Sequence, residues 1–137
     1  MCFYTTVKSS PWVAHTDMVC YKVLDQNMCS WIQDFEYTIN KVYKTELGTL
    51  HDANYPGNIY FTSLNERIYY KDVYCIFRGF HSYQRNTKQI SRIYTQRYTT
   101  IPCIYKCIIP KGSLYYKNQW GEYVSDQIMI KEKVNFK

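Results

Sequence analysis

Between Asp72 and Glu122 the chain has 49 residues without an acidic side chain, and eight of them are cations: Arg78, Arg85, Lys88, Arg92, Arg97, Lys106, Lys111 and Lys117. The rest of the sequence carries nine basic and eleven acidic residues, so the net charge of +6 arises in this one stretch. Tyr74, Tyr83, Tyr94, Tyr98, Tyr105, Tyr115, Tyr116 and Trp120 are interleaved with the cations. A positive field set among flat aromatic faces suits an anionic ligand that can stack, such as a nucleotide.

Three places in the sequence could do specific chemistry. In the first, Arg78 precedes Gly79-Phe80-His81-Ser82-Tyr83. If Gly79 turns a strand into a helix, His81 and Ser82 lie at the helix N-terminus, where free backbone N–H groups attract phosphate or carboxylate, and Arg85 follows on the first turn. In the second, Lys111 sits in a Pro110-Lys111-Gly112 turn, followed by Tyr115 and Tyr116. A lysine at a turn meets a phosphate as a point charge, and a tyrosine can stack on a base. The third is Cys2, a terminal thiol beside an amine if Met1 is removed, which could combine nucleophile and base in one residue. Each has a plain structural reading as well: a capping serine with a packed histidine, a hairpin with core-facing tyrosines, and a small second residue with no role.

The cysteines do not form a metal motif. Of the six, only Cys103 and Cys107 are close in sequence, and none of the three histidines completes a ligand set beside them. Cys20, Cys75, Cys103 and Cys107 lie in apolar runs, where cysteine behaves as a small hydrophobe. The expectation is free thiols, no metal and no cofactor.

The elements that must position these residues read mostly as strands. Met18 to Leu24 is a β-branched and aromatic run. Trp31 to Tyr43 alternates loosely, Asn58 to Leu64 and Arg67 to Phe77 are further candidates, and Gly48 to Asn58 is a loop. Pro102 to Ile109 is a strand ended by the Pro-Lys-Gly turn. Leu114 to Tyr116 and Tyr123 to Val134 follow, around a turn at Asn118 to Gly121. One segment, 82–98, has helical periodicity. Ser82 is its cap, Tyr83, Ile90, Ile93, Tyr94 and Arg97 form one side, and Arg85, Lys88 and Arg92 form a basic stripe opposite. The predicted fold is α+β: a bent antiparallel or barrel-like sheet with one amphipathic helix packed on it.

At 137 residues the chain fits a single domain. No apolar run of membrane-spanning length is present, and the first residues lack the basic flank and apolar stretch of a secretory signal, so the expected location is the cytosol. Sixteen tyrosines exceed ordinary usage. Codon bias in an A+T-rich genome accounts for part of that excess but not for the missing acids.

Several blocks, taken together, resemble small accessory proteins of phages and gut bacteria. They are Cys20-Tyr21-Lys22-Val23-Leu24, Gly79-Phe80-His81-Ser82-Tyr83, Lys106 to Tyr116 and Gly121 to Ile128. The resemblance covers most of the chain in block order and implies a phage-borne role against host defence. A more distant likeness is to toxin-type ADP-ribosyltransferases. It implies Lys22 in the place of an early catalytic arginine, Ser82 in the middle block and Glu122 as the late catalytic glutamate. Trp120 stands where an assisting Gln or Glu is usual, and Phe80-His81-Ser82-Tyr83 departs from the family's aromatic-Ser-Thr-Ser block.

The functional expectation is a non-enzymatic protein that sequesters a nucleotide-like anion through Arg78, His81, Ser82, Arg85, Lys111, Tyr115 and Tyr116. Two alternatives stand beside it. One is an inhibitor that docks on a host defence protein or nucleic acid through Arg85, Lys88 and Arg92. The other is a transferase using Lys22, Ser82 and Glu122. The sequence leaves the ligand's identity and any oligomeric assembly open.

Overall fold

The computed structural model describes residues 3–30, 35–52, 59–61, 67–69, 73–85 and 103–135. Thirteen strands lie within them: β1 Phe3–Thr5, β2 Trp12–Val13, β3 Met18–Leu24, β4 Val42–Lys44, β5 His51–Asp52, β6 Ile59–Phe61, β7 Arg67–Tyr69, β8 Tyr74–Ile76, β9 Phe80–Tyr83, β10 Cys103–Ile109, β11 Leu114–Lys117, β12 Glu122–Ser125 and β13 Gln127–Val134. Eight make one antiparallel sheet in the order β2-β11-β12-β9-β3-β10-β13-β4. Three make a second, in the order β1-β8-β5, and β6 pairs with β7.

The expected α+β fold is therefore corrected to an all-sheet one: among the described residues there is no helix. Ser82 does not cap a helix. It lies inside β9, which pairs with β12 on one side and meets β3 on the other. The remainder of the predicted helix, including Lys88 and Arg92, lies outside the described residues. Gly79 does not turn the chain into a helix. Its φ is +146°, and a Cβ there would come within 2.5 Å of Val124 Cγ2 and 3.0 Å of Leu47 Cδ1. Glycine is needed at 79 because two layers of backbone and side chain approach it closely. The large sheet is also not a closed barrel, since it begins at β2 and ends at β4.

The strands form where β-branched and aromatic residues recur, and register sorts their side chains between faces. β3 and β10 pair over seven residues, from Cys103 opposite Leu24 to Ile109 opposite Met18. β10 also pairs with β13, with a register shift between Lys106 and Cys107. One face of these central strands buries Cys20, Leu24, Cys103, Tyr105, Cys107, Ile109, Ile128 and Ile130 in the main core, together with Tyr37 and Tyr123. Each fully buried aliphatic side chain there stabilises the fold by roughly 1.5–3 kcal/mol. On the opposite face, Tyr116 and Val124 of the large sheet pack against Phe3 and Ile76 of the three-stranded sheet. This second contact holds β9, β11 and β12 between two layers.

Candidate functional site

The described cations of the acid-free stretch stand on different elements. Arg78 is exposed and reaches Glu46 across 3.3 Å. Lys106 lies directly across the β10–β13 ladder from Glu132, a spacing at which opposite charges attract. Lys111 sits in the turn after β10, and its backbone N–H donates to Asp17 Oδ1 at 2.8 Å. Arg85 is exposed just past β9, and Lys117 is exposed at the end of β11. Carboxylates from the first 72 residues thus stand beside two of the cations assigned to an anion pocket.

The aromatic and polar members of that set also separate. Tyr115 is half-buried, with Trp12 at 5.7 Å and Tyr123 at 5.9 Å between ring centroids. Tyr116, its neighbour in β11, points to the other face and is buried beside Phe3 and Ile76. His81 and Ser82 alternate in the same way. The His81 ring is hydrogen-bonded to the Gly79 backbone, and its Nε2 is buried without a partner. Burial first, and then the Lys22 charge, lower the His81 pKa to about 3, so the ring is neutral. Ser82 is fully buried, and its Oγ makes no close hydrogen bond.

The residues matched to a transferase are divided by the sheet. Tyr21, Tyr83 and Glu122 are successive cross-strand partners from β3 through β9 to β12. Lys22 and Ser82 each stand one residue along from that row, so alternation turns both to the face opposite Glu122. Burial raises the pKa of the Glu122 carboxyl, while a hydrogen bond from Asn118 opposes the rise. Asn118 also accepts the backbone N–H groups of Trp120 and Glu122, each at 3.0 Å, and donates to the Tyr4 carbonyl at 2.8 Å. This asparagine builds the β11–β12 turn and ties it to β1. Cys2 lies outside the described residues.

Lys22 has the most unusual surroundings in the described structure. It sits in the middle of β3, a central strand, and its ammonium is enclosed by protein. The β3–β9 ladder closes at a single pair, Tyr21 opposite Tyr83. Beyond that pair, Lys22 Nζ donates 2.7 Å to the His81 carbonyl oxygen, taking the place of a ladder donor. Nζ also lies 5.7 Å from the centroid of the Tyr37 ring, a cation–π distance. Burial is the chief cause lowering the Lys22 pKa, partly opposed by the thiols of Cys107 and Cys20. No carboxylate forms an ion pair with Lys22 among the described residues. Among the described residues one of its three N–H donors has an acceptor.

Tyr37 connects this buried cation to a more open aromatic group. Its centroid lies 4.8 Å from Phe35 and 5.0 Å from Tyr43, both edge-on. Phe35 and Tyr43 are themselves 5.4 Å apart. Phe35 is 41% exposed, and Lys41 Nζ stands 5.1 Å from the Tyr43 centroid. Burial is the first cause raising the Tyr37 pKa, so its hydroxyl remains protonated. Three aromatic rings are therefore placed between an inner cation and an outer one. The charge gradient along the sequence draws attention away from this group. The available signal was a lysine in the middle of an otherwise apolar strand run, because lysine is rarely buried without a partner.

Among the described residues no cluster of three or more His, Cys, Asp or Glu could hold a metal ion. No described helix is long and apolar enough to cross a membrane. No known protein family, curated protein or solved structure matches the chain.

Proposed function

We propose that this protein is a non-enzymatic binding module for a flat, anionic, nucleotide-like ligand. The ligand's ring stacks at Phe35 and Tyr43, and its charge is met by Lys41, with the Lys22 charge acting from behind Tyr37. The observation that carries this reading is the buried Lys22 ammonium, which among the described residues has a carbonyl and a ring for company but no carboxylate. Enclosing such a charge is costly unless something negative arrives to offset it. Aromatic stacking contributes about 1–3 kcal/mol per base and tolerates different bases. The resemblance to phage accessory proteins makes a nucleotide used as a defence signal the natural ligand class, and sequestration the mode of action.

Isothermal titration calorimetry against a panel of cyclic and linear signalling nucleotides tests the proposal at low salt. Binding should occur with at least one. It should fall at least tenfold in Lys22→Met, and also in a Phe35→Ala, Lys41→Ala double variant, while both retain the wild-type circular dichroism spectrum. Silence across the whole panel removes the proposal. So does binding that both variants leave intact.

A further inference from the structure

Cys20 and Cys107 are direct partners in the β3–β10 ladder, at the centre of the large sheet. Both are fully buried on the core-facing side and both are free thiols. Residues directly opposite in an antiparallel ladder hold their Cβ atoms about 4.5–5.5 Å apart, and a disulfide requires about 3.5–4.5 Å. Closing the bond therefore takes a local adjustment of about 1 Å. No other described cysteine faces a thiol across a ladder: Cys103 lies opposite Leu24, and Cys75 lies opposite Tyr4 and His51.

The geometry points to Cys20 and Cys107 as an oxidative modification site, which a small two-electron oxidant of the peroxide class converts to a cross-strand disulfide. Cys20 is the attacking sulfur. Burial pushes its pKa up, but the neighbouring Cys107 thiol and the charge of Lys22 bring it below the ordinary thiol value. Cys107, pushed up by burial and by its neighbour, remains the protonated partner. The Cys20 thiolate attacks one peroxide oxygen and releases hydroxide, leaving a sulfenic acid. The Cys107 sulfur then attacks the Cys20 sulfur, its proton leaves with the second hydroxide, and water is the product. The two sulfurs together lose two electrons and the peroxide gains them. Lys22 lies two residues from Cys20 on the same face, so its charge favours the thiolate form.

Oxidation would bolt β3 to β10, two strands from distant parts of the chain, and would remove the thiol neighbours of Lys22. The test treats the full-length protein with hydrogen peroxide under native conditions. Free thiols are counted after denaturation, and the non-reduced digest is mapped by mass spectrometry. The expected results are two fewer titratable thiols, a peptide joining Cys20 to Cys107 and a higher melting temperature that dithiothreitol reverses. Cys20→Ser or Cys107→Ser should abolish the linked peptide. The wild-type map stands as evidence even if those variants fold poorly. A link between any other cysteines overturns the assignment, as does recovery of Cys20 and Cys107 reduced or as unlinked sulfinic acids.

Discussion

His81 makes this fold sensitive to mild acid in a calculable way. Its Nε2 is buried without a partner, and burial together with the Lys22 charge brings its pKa to about 3 from an ordinary 6.5. The folded value lies below the unfolded one, so the neutral ring costs nothing above pH ~6.5, and stability is lost as the pH falls from there towards about 3. At pH 5 the unfolded chain binds this proton almost fully and the folded chain hardly at all. Linkage then gives a loss of about 2 kcal/mol relative to pH 8, an upper value because part of the residue remains accessible. Glu122 acts in the opposite direction. Its raised value means that the folded state takes up a proton before the unfolded state does, so acid stabilises that position. Comparison with a variant isolates the histidine. Urea unfolding of wild type and His81→Asn at pH 8, 7, 6 and 5 should show the wild type losing about 2 kcal/mol more over the range. Equal losses in the two proteins would refute the reasoning. So would a nuclear magnetic resonance titration in which His81 protonates near 6.5.

Gly79→Ala places a methyl group 2.5 Å from Val124 Cγ2 at a φ of +146°, and should destabilise by about 1–3 kcal/mol in denaturant unfolding. Asn118→Ala leaves the N–H groups of Trp120 and Glu122 without their acceptor. A loss of about 1–3 kcal/mol is expected, with faster amide exchange confined to the β11–β12 turn and β1. Ile130→Ala empties a fully buried position in the main core, and the melting curve should report a loss of about 2–5 kcal/mol. Glu132→Lys, directly across from Lys106, should cost well under about 1 kcal/mol and less still in high salt, because exposed pairs are weak and screened.

The strands were legible where composition and turn chemistry agreed. Met18 to Leu24 is β3 as read, and the Pro-Lys-Gly turn ends β10 at Ile109. The turn at Asn118 to Gly121 divides β11 from β12, and Gly112 in the first turn and Gly121 in the second supply positive φ. The run from Arg67 to Phe77 was read as one strand but holds β7 and β8 in different sheets. Helical periodicity is read over 82–98, but Ser82 does not begin a helix, because Phe80–Tyr83 has both neighbours of a central strand. A pattern counted along one segment does not report which strands will flank it. The charge pattern along the sequence is equally blind to distant partners. An acid-free stretch implies an unneutralised surface only where no distant carboxylate arrives: Glu46 pairs with Arg78, and Asp17 accepts the backbone N–H of Lys111. Lys22 was singled out only by resemblance. Its environment depends on Tyr37 and His81, which sequence distance conceals.

The order of strands in the large sheet also governs how the protein can be made. β3 is flanked by β9 and β10, so both of its neighbours are translated long after it. Leu24 must wait for Cys103. During synthesis its cysteine, valines and leucine leave the ribosome with no lasting place to go, and collapse of the centre is postponed until most of the polypeptide exists. Slow, late folding with a need for chaperone protection of the first third of the nascent chain follows from that arrangement.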